Sequence, residues 1–249
     1  MTAYHGGKQR IGKELANIIS DYIIHEQNYH PRKNISPSGY CEPFCGMLGV
    51  YRHIPDKLDE LGHIKYTGSD INKSLILMWK ECQSGWKPPT QISKQRFDTL
   101  KYDKKYSAIK GFVGFTCTYR GVFFDSYFPH SSSKIKHSAQ TVYDIANNNC
   151  RNVKFKHGDY KIWSKLKNYI IYCDPPYYDT EQRYYKGNEY KDRLDFDHQE
   201  FWDWCSLMSK NNTVFISEYK DLRRVPVLKE AGIIKLWSDA QNKEKLFVI

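Results

Sequence analysis

The sequence has no run of about 18 apolar residues, so it lacks a segment that could cross a membrane as a helix. Its amino terminus has no apolar region of the kind that directs secretion, and the chain shows no internal repeat or low-complexity tract. We therefore expect a soluble intracellular protein of the cytoplasm or nucleoid, or of the host cytoplasm or nucleus if it is viral.

Several catalytic signatures are missing as well. The seven cysteines are odd in number, with no CxxC pair and no Cys/His spacing that suits zinc. There is no GxxxxGK[ST] phosphate loop, no HExxH helix and no nucleophile elbow. These absences argue against a disulfide framework, P-loop phosphoryl transfer, zinc proteolysis and serine hydrolysis. The cysteine pattern predicts reduced, mostly buried thiols.

The composition is that of a globular protein with a large positive charge. The 249 residues are 40% hydrophobic and 27% charged, with a formal net charge of +10. This length supports one large domain or a domain that carries an insertion. The charge favours a polyanionic partner such as nucleic acid, and less often an acidic membrane surface, while a basic enzyme without such a partner would have the same composition.

Acidic residues follow four short segments with the patterns of β-strands. These residues are Glu42, Asp70, Asp159 and Asp174. Helical patterns alternate with the first strands, which is typical of a parallel α/β sheet, and ligands of such sheets bind beyond the carboxyl ends of the strands. An acid at a strand end is, taken alone, more often a turn or helix-cap residue. Together the four acids predict a site at one edge of the sheet.

The sequence pattern divides the chain into three parts. Residues 1–82 and 150–249 show the rhythm of the sheet, and the last two strands of the chain predict a β-hairpin. Residues 83–149 depart from this rhythm with Lys/Tyr-rich and aromatic stretches, which predicts an inserted region.

Five short motifs occur in a fixed order along nearly the whole chain. They are YHGGK at 4–8, EPFCG at 42–46, SDIN at 69–72, HGDY at 157–160 and DPPY at 174–177. This set resembles the ordered motifs of the Dam-like (D12 class) DNA adenine-N6 methyltransferases. DPPY by itself is less specific, because related tetrapeptides occur in cytosine-N4, RNA and protein-glutamine methylases.

The resemblance implies a fold, an activity and partners. The fold would be an α/β, Rossmann-like class I S-adenosylmethionine-dependent methyltransferase sheet with a terminal β-hairpin and an inserted target-recognition region. Residues 1–82 would then bind the cofactor, 83–149 would recognise DNA, and 150–249 would carry catalysis. The implied reaction transfers a methyl group from S-adenosylmethionine to N6 of a flipped adenine in double-stranded DNA, by a monomer or homodimer, without a metal.

The resemblance also assigns cofactor-binding positions. Lys8 would bind the methionine carboxylate of the cofactor, and Asp70 would accept its ribose hydroxyls. Asp159 and Tyr160 would lie beside its adenine. The full set is Tyr4, Gly7, Lys8, Glu42, Pro43, Phe44, Gly46, Asp70, Ile71, Asp159, Tyr160 and Asp174. The chain departs from the family where it has Leu48 in place of a second glycine, so we expect an altered turn near the methionine moiety.

The catalytic set implied by the resemblance is the DPPY motif itself, with Asp174, Pro175, Pro176 and Tyr177. The Asp174 carboxylate and the carbonyl of Pro175 would accept the two N–H groups of an adenine amino group, which turns its lone pair toward the sulfonium methyl. Tyr177 would stack on the flipped base.

DNA contacts are expected from basic residues outside these motifs. The candidates are Arg120, Lys101, Lys105, Lys134, Lys136 and Arg183, with Lys104 and Lys110 beside them. Arg120 would reach a guanine edge and the lysines would contact phosphates. For any single lysine, a solvated surface role is the better prediction.

Two alternatives to the adenine-N6 activity remain. One is an enzyme of the same fold that acts on RNA or on cytosine N4, and the aspartate that opens DPPY favours adenine over cytosine. The other is an inactive DNA-binding derivative of a methylase, which would not need Tyr4, Lys8, Asp70, Asp174 and Tyr177 together.

Overall fold

The computed structural model describes residues 7–29, 37–62, 64–129, 131–178, 196–239, 241 and 243–249, and the side chains of 26–29, 60 and 120 lie outside this description. Within these ranges the chain forms a central sheet covered by helices on both faces. Tyr4 and Arg183 are among the predicted site residues that lie outside the described residues.

The described strands form a seven-stranded sheet in the order β3-β2-β1-β4-β5-β7-β6. Their bounds are β1 Gly39–Glu42, β2 Lys65–Asp70, β3 Lys154–His157, β4 Tyr169–Cys173, β5 Thr213–Glu218, β6 Ile234–Ser238 and β7 Lys245–Val248. The first five strands are parallel, and β7 lies antiparallel between β5 and β6. This arrangement confirms the predicted α/β, Rossmann-like class with a terminal hairpin.

The α-helices of the described residues precede β1 or lie between later strands, with four in succession between β2 and β3. They are α1 Gly12–Tyr29, α2 Pro55–Leu58, α3 Lys73–Gln83, α4 Lys94–Tyr102, α5 Ala108–Thr116, α6 Ser132–Asn147, α7 His198–Ser209 and α8 Pro226–Glu230. Most of the longer helices have an N-cap residue whose side chain accepts a backbone N–H of the first turn. Asp197, for example, accepts the N–H of Glu200 at 2.9 Å at the start of α7, as the acid spacing there predicts.

The central strand β4 shows why the sheet is buried on both faces. Ile170 and Tyr172 pack into the core that contains α1, α3, α5 and α6, whereas Ile171 and Cys173 pack into a second core formed with α7 and α8. Successive side chains of a strand point to opposite faces, so an unbroken apolar strand requires two covered faces. The ends of the strands therefore remain the places where polar groups can collect.

Residues 83–149 fold mainly as helices and pack on α3. A Cβ added to Gly111 of α5 would lie 2.3 Å from the carbonyl oxygen of Ser74, so glycine permits close contact between α5 and α3. Side chains of α6, among them Val142 and Ala146, belong to the same core as Trp79 of α3. The division into 1–82, 83–149 and 150–249 stays a prediction.

All seven cysteines are buried and none forms a disulfide, which confirms the expected buried thiols. Among the described residues, no helix combines the length and the apolarity that a membrane crossing needs. The same part of the chain holds no cluster of three or more His, Cys, Asp or Glu side chains that could bind a metal ion.

Candidate active site

The carboxyl ends of four neighbouring parallel strands meet at one edge of the sheet, and each ends in or beside an acid. Glu42 ends β1, Asp70 ends β2, Asp174 follows β4 and Glu218 ends β5. Parallel pairing alone places these strand ends together, because strands of one direction finish on the same side. Three of the four predicted acids, Glu42, Asp70 and Asp174, thus stand at neighbouring strand ends with Glu218, and their function as a site stays a prediction.

Lys8 and Asp174 form the centre of this edge. The Lys8 Nζ atom lies 2.7 Å from Oδ1 of Asp174 and 3.4 Å from Oε1 of Glu244. The Tyr177 hydroxyl lies 3.0 Å from the same Asp174 oxygen and 2.9 Å from the same Glu244 oxygen. The Asp174 side chain is 18% exposed, while those of Lys8 and Glu244 are each 7% exposed. Asp174 is thus the member of this group that faces outward.

The Tyr177 ring is buried in this structure. Its residue is 4% exposed, and the Lys8 Nζ atom lies 4.8 Å from its ring centroid. The Tyr219 ring packs edge-on at 4.4 Å between centroids. Burial and the charges of Asp174 and Glu244 raise the pKa of Tyr177 well above its ordinary value. Stacking of Tyr177 on a flipped base stays a prediction, and it requires this packing to change.

The turn that carries the two prolines is held by contacts on its far side. The His198 Nε2–H donates to the carbonyl oxygen of Pro176 at 3.0 Å. The Tyr178 ring lies beside Trp202, and the Lys220 Nζ atom is 3.5 Å from the Tyr178 ring centroid. Since proline fixes φ and His198 holds one carbonyl, the backbone that follows Asp174 is rigid.

Glu218 ties this turn to the end of β5. Its carboxylate accepts the backbone N–H of Tyr178 at 3.0 Å, of Tyr219 at 2.7 Å and of Lys220 at 3.4 Å. Burial raises the pKa of Glu218 to about 7, against the opposite effect of these hydrogen bonds. Ionisation of Glu218 near neutral pH therefore takes place inside the candidate site.

The ends of β1 and β2 present two further buried acids. Asp70 accepts the N–H of Gly46 at 3.1 Å and the N–H of Asn72 at 2.8 Å, and burial raises its pKa to about 6. Glu42 accepts the Tyr40 hydroxyl at 2.7 Å, and burial raises its pKa well above its ordinary value. The backbone N–H of Ile71 is a third donor, and since a carboxylate has about four acceptor positions, Asp70 can still accept a ligand hydroxyl.

The turn after β1 contains Leu48, where the sequence departs from the pattern of the family that it resembles. Gly46 has φ 47° and Leu48 has φ 55°, so a leucine stands in the left-handed region where glycine is favoured. The Leu48 side chain is fully buried, which fixes it there. A Cβ on Gly49 would lie 2.9 Å from the backbone nitrogen of Lys8, so the turn contacts the segment that carries Lys8.

An aromatic cluster lies beside Asp159. The rings of Phe44 and Tyr160 stack at 5.7 Å between centroids, and Phe196 lies against both. Asp159 accepts the N–H of Lys161 at 2.9 Å and so caps the short 3-10 turn that begins at Tyr160. The partly buried ring of Phe44 gives this end of the sheet an apolar wall that a planar ring could contact.

The other predicted cofactor residues frame the same strand ends. The Pro43 carbonyl accepts the Ser69 hydroxyl at 3.0 Å, and the Ile71 carbonyl lies 3.2 Å from His157 Nε2. Gly7 is partly exposed next to Lys8.

The predicted DNA-contact residues do not share one environment. Lys105, Lys134 and Lys136 are exposed, and the half-buried Lys101 donates to the Asp125 carbonyl at 2.9 Å. Arg120 lies in the 3-10 turn Tyr119–Gly121, and its side chain is outside the description. Phosphate contacts by these residues stay predictions.

One neighbour of this set has a different role. Lys110 is 1% exposed, and its Nζ atom donates to the carbonyl oxygen of Asp103. A phosphate contact by Lys110 is therefore wrong for this structure.

Sequence reasoning missed two acids that the fold brings into the site. The sequence pattern places Glu218 inside a strand and Glu244 at the start of the last strand, and assigns neither to a site. The single available signal was an acid at the end of an apolar strand, which Glu218 shares with Asp174. Nothing in the local pattern around Glu244 indicates that its hairpin returns to the first residues of the chain.

No family model matches the chain, and no curated protein matches it. Among solved structures, the chain is similar to SMU.472, a proposed methyltransferase in complex with SAH, at 10% identity and a TM-score of 0.30. The match covers 85% of this chain and 47% of that one, so this chain spans about half the length of that protein. A likeness this weak carries no argument, and the site is interpreted from its own geometry.

Proposed function

We propose that this protein is an S-adenosylmethionine-dependent DNA methyltransferase that modifies N6 of adenine in duplex DNA. The observation that carries the proposal is the setting of Asp174, an outward-facing carboxylate held at the end of β4 by Lys8 and Tyr177 and followed by two prolines. The five ordered motifs support the same reading from the sequence.

The geometry of Asp174 suits an acceptor amine. Lys8 and Tyr177 both contact its Oδ1 atom, and no described residue donates to Oδ2. An adenine amino group is a weak nucleophile because its lone pair is delocalised into the ring. If Oδ2 and the carbonyl of Pro175 each accept one N–H, the lone pair turns out of the ring plane. Because both acceptors are held before the reaction, they stabilise positive charge as it develops on nitrogen.

The charges and donors of the site fit the proposed cofactor. Asp174 and Glu244 place two carboxylates beside the one ammonium of Lys8, an excess of acid that suits a cationic sulfonium. Asp70 would accept the ribose hydroxyls, and Tyr160 with Phe44 would contact the adenine. Lys8 is held between Asp174 and Glu244 and is 6% exposed, so its contact with the methionine carboxylate stays a prediction. When bound, S-adenosylmethionine supplies an activated methyl group, which needs no metal.

The proposed DNA partner is supported by charge. The net charge is +10, and exposed lysines occur on α6 and near the end of α4. Such residues attract the phosphate backbone without reading sequence. The target base must leave the duplex to reach Asp174, since its amino group is otherwise paired.

The test is methyl transfer from labelled S-adenosylmethionine to unmethylated duplex DNA, with nucleoside analysis of the product. Wild type should form N6-methyladenine, and Asp174→Ala should lose activity by about 10²–10³-fold or more. Asp174→Asn preserves the size of the side chain and should show a similar loss. Asp203→Ala, an exposed acid on α7, is the matched control and should keep wild-type activity.

Other products would redirect the proposal. N4-methylcytosine as the product would replace the acceptor, and methylation of RNA alone would replace the substrate. If wild type binds S-adenosylmethionine yet modifies neither DNA nor RNA, the enzymatic proposal is wrong.

A further inference from the structure

We propose that Glu244 is a positioning residue that retains Lys8 and Tyr177 when Asp174 engages the acceptor amine. This inference rests on the proposed function, because it assigns Asp174 to an amine. It is based on one observation: Lys8 and Tyr177 both contact the carboxylates of Asp174 and Glu244, which come from distant parts of the chain.

The Tyr177 hydroxyl is shared almost equally by the two carboxylates, whereas Lys8 lies closer to Asp174 than to Glu244. Oδ1 of Asp174 contacts Lys8 Nζ at 2.7 Å and the Tyr177 hydroxyl at 3.0 Å. Oε1 of Glu244 contacts the same two groups at 3.4 Å and 2.9 Å. The four side chains therefore form a closed ring in which donors and acceptors alternate.

The number of protons decides how this ring can rearrange. Tyr177 has one hydroxyl proton, so at any moment it can donate fully to only one of the two oxygens that it contacts. Lys8 has three protons and can donate to both carboxylates together. A shift of Tyr177 and Lys8 toward Glu244 would thus free the acceptor capacity of Asp174 without breaking the ring.

Burial makes a second partner necessary. Lys8 is 6% exposed and Tyr177 is 4% exposed, so neither can turn to solvent when Asp174 changes partner. A buried ammonium without a carboxylate is strongly unfavourable. Glu244 is itself 6% exposed and is positioned by the start of β7. It therefore offers Lys8 a counter-charge that does not depend on Asp174.

Charge gives Glu244 a second effect on the same step. Two carboxylates beside one ammonium leave an excess negative charge, which favours the positive charge that develops on the attacking nitrogen. Without Glu244, both donors would bind the Oδ1 atom of Asp174, and only Asp174 and the more distant Glu42 would remain as acids near Lys8. Asp174 would then be a weaker acceptor for the amine.

The first test measures coupling between the two acids in the absence of any substrate. The variants are Asp174→Asn, Glu244→Gln and the double variant, and the readout is the melting temperature. If Glu244 retains Lys8 when Asp174 loses its charge, the double variant should lose about 5 °C or more beyond the sum of the two single losses. Glu230→Gln, an exposed acid on α8, should combine additively with Asp174→Asn.

The second test separates positioning from folding by kinetics. Glu244→Gln should lower kcat of methyl transfer about tenfold, with KM for DNA changed less than about threefold, because the loss occurs in the transition state. Glu244→Asp retains the charge and should recover part of this kcat. Glu230→Gln should match wild type.

The outcomes of the two tests are distinguishable from failure of the proposed function. Additive melting temperatures overturn the retention of Lys8 and Tyr177 by Glu244, whatever the substrate is. A wild type that makes N6-methyladenine together with a Glu244→Gln variant of unchanged kcat also overturns it and leaves the proposed function standing. Non-additive melting temperatures with a wild type that methylates no nucleic acid support the coupling and overturn the enzymatic role of both acids.

Discussion

The candidate site and the helical region at residues 83–149 both carry many charged side chains, and they use them in opposite ways. At the sheet edge, Lys8 and Glu244 are buried, Asp174 is partly exposed, and the Lys8 Nζ atom lies within 3.4 Å of an oxygen of each acid. On α6, Lys134 and Lys136 extend into solvent. The first group has a geometry that can direct chemistry, whereas the second contributes a diffuse positive field.

This difference shows that the structural role of a charged residue in a motif depends on whether the residue is buried or exposed. A buried charge requires partners in fixed positions, so its neighbours are constrained by the fold. An exposed lysine has no such requirement and can move along the surface with small effect on stability. Substitutions in the site should therefore change stability and catalysis together, and substitutions on α6 should change DNA affinity alone.

The largest expected effect comes from Lys8→Met, which keeps most of the side-chain volume and removes the ammonium. Asp174 and Glu244 would lose their shared counter-charge inside the protein, and the free energy of unfolding should fall by about 3–5 kcal/mol. Urea denaturation would measure it. Lys136→Met on α6 is the matched control and should remain near wild type. Equal stability of the two variants would contradict the contrast between the regions.

The next effect is a pH dependence that belongs to Glu218. The pKa of this acid is raised to about 7 in the folded protein, so its protonated form is favoured there. The stability associated with that form is complete below about pH 4.5 and is lost as pH rises through about 7. Glu218→Gln cannot ionise and keeps an oxygen for the three N–H groups.

The measurement is the difference in unfolding free energy between wild type and Glu218→Gln. Relative to Glu218→Gln, wild type should lose about 3 kcal/mol of unfolding free energy between pH 4.5 and pH 8. Because Asp70 titrates nearby with a pKa of about 6, subtraction of the variant is needed to isolate Glu218. A difference that stays constant with pH would mean that Glu218 is ionised throughout.

A smaller effect would show where the comparison breaks down within the helical region. Lys110 is a lysine of residues 83–149 that is buried and bonded to the Asp103 carbonyl. Lys110→Met should cost about 1–2 kcal/mol of stability, because that carbonyl loses its donor, and should leave the salt dependence of DNA binding unchanged. Lys105→Met, an exposed neighbour, is the control for stability and should unfold like wild type. A change of salt slope in Lys110→Met alone would return Lys110 to the DNA-contact set.

The smallest effect on stability is expected on α6 itself. Charge reversal with Lys134→Glu and Lys136→Glu should leave the melting temperature within about 2 °C of wild type. If these lysines contact phosphates, DNA affinity should fall about tenfold and the slope of log affinity against log salt should decrease by about 2 in magnitude. Binding of a duplex at several salt concentrations would measure both. An unchanged slope would remove α6 from the DNA surface.

The strands and most helices could be predicted from the sequence because their patterns are local. The run that ends at Cys173 is apolar on both faces, and Asp197 stands at a capping distance from Glu200. The burial of Tyr177 could not be predicted, since the rings and charges that cover it come from Lys8 and Tyr219. Lys110 was misjudged for the same reason, because a lysine in a basic stretch gives no local sign that the fold buries it.

The sequence by itself determined the order of the strands along the chain, the acids at their ends and the five motifs that suggest adenine methylation. These features depend on residues that are close in sequence, so their periodicity and turn residues can be identified from the sequence alone. The tertiary structure alone decided that Lys8, near the amino terminus, meets Asp174 and that Glu244, near the carboxyl terminus, completes their ring. The reason is physical: β7 inserts beside β5 and brings Glu244 to the edge where Asp174 stands, and a buried ammonium there requires carboxylates from whichever segments the fold places within reach.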